Sequence, residues 1–469
     1  MPDATHNPSN SPTGSMHGFT PETEQLADAI LAYALDRMRL DPAPLDGPVD
    51  PVTLAAAAGQ TITAGGLGGE RVLALFDDVL SRACISTDHP RYLSFIPNAP
   101  TESASLFDLV VGASSIYGGS WLEGAGAVYA ENQALRWISD LAGLPPQAGG
   151  VFVQGGTLGN LSALVTARHT VRASRAARGR RAPSRWGVVT GSQTHSSVAH
   201  AADVMDVDVL TVPVDERHRL TGDELAELLD GPDGDRVFAV VASAGTTNLG
   251  VIDDLPGIAR VCREREVWMH VDGAYGGAAL AAPSARALFD GIEQCDSFTV
   301  DPHKWLFAPF DACALLYREP TLAKAAHTQR AGYLEITQTE PTEWNPSDYA
   351  VHLSRRARGL PFWFSLATHG TDAYAAAVEH TLAIARMCER EVRSRPYLRL
   401  VADRVLSVVA FAREGWSPED YYAWSERLMR AHVAFVTPST HEGGTIARIA
   451  VVNPRTTAED ITLVLDSMA

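Results

Sequence analysis

Asp301-Pro302-His303-Lys304-Trp305 decides how this chain is read. The pentapeptide follows an apolar, strand-like run, Phe298-Thr299-Val300, so Lys304 emerges at a strand end, where open α/β sheets bind their ligands. A lysine partly desolvated in such a place can lose its proton near neutral pH and condense with an aldehyde, the first requirement of a Schiff-base enzyme. Taken alone, the pentapeptide reads first as a plain surface lysine after a strand.

Three further stretches narrow the reading. Val267-Trp268-Met269-His270-Val271 has the pattern of a buried strand and ends in Asp272-Gly273-Ala274-Tyr275. An aspartate there needs a cationic partner; the pyridinium nitrogen of pyridoxal phosphate is one, and small Ala274 leaves room for a flat ring. Thr194-His195-Ser196-Ser197 puts an imidazole at a helix start, where it can stack on the ring's other face. Val151-Phe152-Val153 leads into Gly155-Gly156-Thr157-Leu158-Gly159-Asn160 and an Ala/Leu-rich helix. A glycine turn opening a helix offers free N–H groups and a positive dipole end to a phosphate, with Gly156 and Thr157 as the contacts. A tight connection would use the same glycines.

With Gly155-Gly156-Thr157, His195, Asp272-x-Ala274 and His303-Lys304-Trp305 in order, the chain resembles the pyridoxal-phosphate-dependent group II amino-acid decarboxylases. That family includes the aromatic amino acid, glutamate and diaminobutyrate decarboxylases. The resemblance implies a fold-type I α/β architecture: a mostly parallel central sheet with helices on both faces, an N-terminal helical segment and a small C-terminal α/β domain. Its divisions would be a disordered tail at 1–18, a dimer-packing segment at 19–100, a large cofactor-binding domain at 101–361 and a small domain at 362–469.

The resemblance also assigns roles. Lys304 would hold the cofactor aldehyde as a Schiff base, Asp272 keep the ring nitrogen protonated, and His195 stack on the ring and help orient the substrate carboxylate. Gly156, Thr157, His303 and Asp301 would surround the phosphate, with Thr246 and Ala274 beside the ring. Asp301 departs from the pattern, since several members have asparagine there. Tyr333, in Ala331-Gly332-Tyr333-Leu334, matches a mobile-loop tyrosine that helps reprotonate Cα, and relatives with phenylalanine there tend to make aldehydes. Asn98 and Arg448 are candidate substrate contacts. The implied reaction is decarboxylation of an L-amino acid to its amine, in a homodimer with active sites at the subunit interface. Aldehyde-forming oxidative deamination, transamination or carbon–carbon lyase chemistry is the alternative on the same fold.

Composition sets outer bounds. The 38 basic residues against 56 acidic ones leave a net charge of −18, which argues against a nucleic acid or an anionic membrane as the main partner. Five cysteines lack any C-x-x-C pairing, as reduced thiols in a cytoplasm would. No apolar run approaches the ~18 residues of a membrane span. His270, Asp272 and His303 are metal ligands by type, but no ligand spacing supports them, and no metal is expected. Thr20-Pro21 reads as a helix start, and Arg355-Arg356-Ala357-Arg358 as either a solvated helix start or a structural element near the active site.

Overall fold

The computed structural model describes residues 14–332, 336 and 343–469. From residue 149 strands and helices alternate. The first seven strands are β1 (Gly149–Val153), β2 (Gly187–Gly191), β3 (Asp208–Val212), β4 (Val237–Ser243), β5 (Trp268–Asp272), β6 (Ser297–Val300) and β7 (Cys313–Tyr317). They form one sheet in the order β1-β7-β6-β5-β4-β2-β3. The pairs from β3 through β6 are parallel, and β7 runs antiparallel to both β6 and β1, so β1 points the same way as β6.

Alternating side chains feed two cores. In β7, Ala314 and Leu316 face one and Cys313, Leu315 and Tyr317 the other. Helices Trp121–Leu141, Leu255–Arg265 and Thr371–Ser394 contribute to the first, and Gly156–Ala177, Ser196–Met205 and Pro320–His327 to the second. A strand covered on both sides has no polar face to show: all of Val237–Ser243 is buried.

A second, antiparallel sheet follows, made of β8 (Leu398–Leu400), β9 (Val408–Arg413), β10 (Pro438–His441) and β11 (Gly444–Ala450) in the order β10-β11-β9-β8. Trp424, Phe411 and Ile449 belong to its separate core. Helix Thr371–Ser394 threads both units, with Val378 and Leu382 in the large core and Cys388 and Val392 in the small one. The division expected at 361/362 falls inside helix Leu360–His369, whose Phe362 and Leu366 pack with the large sheet.

The N-terminal part departs from expectation in detail. Gly14–His17 is a short helix inside the expected tail, and residues 1–13 lie outside the described residues. Helix Pro21–Arg39 starts as read, its Thr20 hydroxyl accepting from the Thr23 N–H at 3.3 Å, but it buries no residue. Residues 89–98 are not a free surface connection. Leu93 donates to the Phe435 carbonyl at 3.0 Å and accepts from Ala450 N–H at 2.9 Å, seating the segment on the small unit.

Arg355 is not solvated. It lies 5% exposed and donates to both carboxylate oxygens of Glu131, at 2.7 and 2.9 Å, while Glu131 also accepts from the Gly359 N–H at 2.8 Å. Arg358 pairs with Asp311, which borders the cavity described next.

Candidate active site

The loops that follow β1, β2, β4, β5 and β6 gather at the carboxyl edge of the large sheet and wall a cavity of about 300 Å³. Gly156, Thr157, His195, Thr246, Asp272, Ala274, Asp301, His303 and Lys304 all line it. Residues up to 148 positions apart in the sequence thus converge as read.

Lys304 is aimed by its neighbours. Pro302 opens the short helix Pro302–Trp305, and Trp305 is fully buried, its indole N–H donating to Thr381 Oγ1 at 2.9 Å and its ring stacked on Tyr275 at 5.3 Å. Lys304 Nζ then lies 2.9 Å from Asp301 Oδ2. Burial pushes the amine's pKa down, but the Asp301 carboxylate more than offsets this and holds it above the ordinary lysine value. In the cofactor-free protein, then, desolvation is opposed by the ion pair with Asp301, a contact the sequence reading did not include. Asp301 shows the reciprocal effect. Burial raises its pKa, yet Lys304 and His303 hold it below the usual carboxylate range.

Asp272 closes β5 with both oxygens engaged. Oδ2 accepts from Asn160 Nδ2 at 2.8 Å and Oδ1 from the Ala274 N–H at 3.0 Å, which fixes the group's orientation. Asn160 Nδ2 also donates to Ser197 Oγ at 2.9 Å, and that hydroxyl stands 2.9 Å from His195 Nδ1. His195 Nδ1 accepts from the Ser197 N–H at 3.2 Å as the cap of helix Ser196–Met205, which leaves the ring proton on Nε2. Asn160 and Ser197 were not assigned from sequence. The available signal was a polar residue one turn inside the glycine-opened helix, on its buried side.

The anion end is equally defined. Gly155 adopts φ +87° before helix Gly156–Ala177 and, as its N-cap residue, has no side chain to cap it; Gly155, Gly156 and Thr157 all line the cavity. Gly156 N–H donates to Asp301 Oδ2 at 3.3 Å, and a Cβ at Gly156 would stand 3.1 Å from Ala274 Cβ, closing the cradle. Burial lowers the pKa of His303 against the pull of Asp301, and the ring is fixed by the Ala312 carbonyl, 2.8 Å from its Nδ1. Thr246 serves two ends: its Oγ1 accepts from the Val251 N–H at 3.1 Å as a turn residue, and its own hydroxyl proton remains available to the cavity.

Two expected contacts lie elsewhere. Asn98 donates to the Ala308 carbonyl at 3.0 Å and borders a neighbouring cavity with Arg37 and Phe310. Arg448 is 4% exposed and donates to the carbonyls of Phe95 and Thr247, at 2.9 and 2.6 Å, behind the loop that carries Thr246. Tyr333 lies outside the described residues.

The residues present fit pyridoxal phosphate: a glycine-opened helix start for the phosphate, a carboxylate for the ring nitrogen, and an amine for the aldehyde. A family model for the pyridoxal-dependent decarboxylase conserved domain matches residues 69–414. The chain belongs to the pyridoxal-dependent decarboxylase family.

The enzyme is 29% identical over 454 residues to an aromatic-L-amino-acid decarboxylase of Bacillus atrophaeus, covering 94% of this chain and 93% of that one. It is 28% identical over 403 residues to a histidine decarboxylase of Mus musculus, covering 82% and 60%. The crystal structure of Oryza sativa TDC with PLP and tryptamine shares its fold, with a TM-score of 0.86 at 23% identity over 96% of this chain and 99% of that one. This protein is a carboxy-lyase, a pyridoxal-phosphate-dependent amino-acid decarboxylase. Among the described residues no helix is long and apolar enough to cross a membrane.

Proposed function

We propose that this decarboxylase converts a free L-amino acid to its amine with Lys304 as the amine that anchors the cofactor. The observation that carries the assignment is Lys304 in one cavity with Asp272 and the glycine-opened start of helix Gly156–Ala177. Pyridoxal phosphate supplies the electron sink for the charge left at Cα when carbon dioxide departs. Asp272, held by Asn160 and the Ala274 N–H, keeps a proton on the ring nitrogen. His195, on the wall of the same cavity, would cover the ring and offer its Nε2 proton to the substrate carboxylate, orienting it. Gly156, Thr157 and His303 hold the phosphate, and Thr246 and Ala274 bound the ring. Tyr333 supports return of a proton to Cα.

The working form is a homodimer in the cytoplasm. Helix Pro21–Arg39 buries nothing within one chain and exposes Ile30, Leu31 and Leu35, while Leu106, Leu109 and Val110 are exposed on helix Glu102–Ala113. A second copy of the chain is the occupant that the family resemblance assigns to that surface. The five cysteines are unpaired, in keeping with a reducing compartment.

The test is incubation of the purified enzyme with a panel of L-amino acids, scoring carbon dioxide and product by mass. Release of carbon dioxide with the matching amine supports the proposal. A dominant aldehyde product would move the chain to the oxidative branch of the same fold.

A further inference from the structure

Outside the active site, His218, His441 and Glu442 meet between the two sheets. His218 stands at φ +61° in the turn between β3 and helix Gly222–Asp230, His441 ends β10, and Glu442 opens the β10–β11 turn at φ +48°. One ligand atom from each lies within 4.8 Å of the other two. Glu442 Oε1 is 3.9 Å from His218 Nδ1 and 3.8 Å from His441 Nε2, too far in each case for a hydrogen bond. The imidazoles stand edge to face, 4.9 Å between centroids.

His441 is the telling member. It is 8% exposed, and neither ring nitrogen has a hydrogen-bond partner. The buried rings of His89, His270, His303 and His327 each have at least one. A buried imidazole with both nitrogens unmet is costly unless something else satisfies it.

We propose that His218, His441 and Glu442 bind a divalent transition-metal ion, zinc by ligand type, which clamps the β10–β11 hairpin to the loop of residues 215–220. Zinc takes imidazole nitrogen and carboxylate oxygen at about 2.0–2.2 Å in a tetrahedron, which sets ligand atoms about 3.4 Å apart, with water in the fourth position. Drawing the three groups in by about an ångström needs only side-chain rotation. The Glu442 side chain, 72% exposed, is free to turn toward the ion.

The clamp would act on the cofactor site from outside, since none of the three residues lines that cavity. Loop 215–220 is tied inward through Leu220 N–H and Ser243 N–H, which donate to the two oxygens of Asp253 at 2.8 and 2.6 Å. The hairpin is tied to the same region through Ser439 Oγ and Asn248 Oδ1, 2.9 Å apart, and through Arg448 and the Thr247 carbonyl. A metal joining loop to hairpin would brace, from both sides, the segment that carries Thr246.

The experiment uses tag-free holoenzyme, stripped with EDTA, exposed to Zn²⁺ or Co²⁺ and desalted. The wild type is expected to retain one ion per chain, to show the intense visible bands of tetrahedral Co²⁺, and to gain melting temperature with Zn²⁺. His218→Ala and the surface substitution Glu442→Gln are expected to weaken metal affinity about tenfold or more, the loss seen even for supporting groups of metal sites, while keeping wild-type cofactor absorbance. Equal metal retention by wild type and both variants, or none by the wild type, would overturn the proposal. Cofactor absorbance in the same samples reports separately on the decarboxylase site, so the two readings fail independently.

Discussion

Asn160 Nδ2 donates to Asp272 Oδ2 at 2.8 Å and to Ser197 Oγ at 2.9 Å. One amide thereby fixes the Asp272 carboxylate and, through Ser197, the imidazole of His195, both on the wall of the same cavity. His270 completes the hub: burial lowers its pKa to about 4, and its Nε2 lies 2.9 Å from Asn160 Oδ1, so a neutral ring fixes the amide's orientation. Asn160→Ala is expected to remove one charge-assisted hydrogen bond, ~1.5–3 kcal/mol, and weaken cofactor binding on the order of tenfold to a hundredfold. Titration of the cofactor-free variant followed by absorbance checks it.

Ser197→Ala separates the two ends of that network. Asp272 keeps both donors, while His195 loses the hydroxyl beside Nδ1. Cofactor content should match wild type and kcat should fall several-fold. A loss of cofactor equal to that of Asn160→Ala would contradict the division of roles.

Charge at Lys304 and Asp301 predicts the pH behaviour of the cofactor-free protein. Asp301 has its pKa lowered in the fold, so its stabilising contribution is present above the unfolded value, about 3.9, and is lost as pH falls through the lower folded value. Lys304 has its pKa raised, so its contribution is present below about 10.4 and lost as pH rises through the higher folded value. Asp301→Asn should flatten the acid limb in melting curves recorded against pH; an unchanged acid limb would count against the ion pair.

The pair Glu131–Arg355 is buried on both sides, with side-chain exposures of 3% and 0%. Arg355→Met leaves Glu131 charged and unpaired, which should destabilise the enzyme by about 3–5 kcal/mol, and adding Glu131→Gln should recover part of it. Urea denaturation of the two variants beside wild type measures both effects.

The exposed stripe Ile30, Leu31 and Leu35 predicts assembly. Replacing Leu31 and Leu35 by aspartate should convert a dimer to monomers in sedimentation and lower activity with it. Dimers that persist with full activity would place the interface elsewhere.

Legibility in the sequence followed the range of the interactions. Lys304, Asp272 and Gly156 were readable because each sits where a local apolar run ends, and strand ends of a parallel sheet share one edge by geometry. Asn160, Arg355 and His441 were not, since what gives them meaning lies 112, 224 and 223 positions away in Asp272, Glu131 and His218. The ion pair of Lys304 with Asp301 was not readable either, because only the folded chain shows Asp301 Oδ2 turned toward its amine. Asn98 lost its expected place for a similar reason: its segment pairs with Phe435 and Ala450, which directs its amide to Ala308.

The most direct measurement is borohydride reduction of the holoenzyme followed by peptide mass spectrometry. The account predicts the mass of the reduced cofactor on the peptide containing Asp301-Pro302-His303-Lys304-Trp305, at Lys304, and no labelling in Lys304→Ala. Label on another lysine, or a fully labelled Lys304→Ala variant, would contradict it.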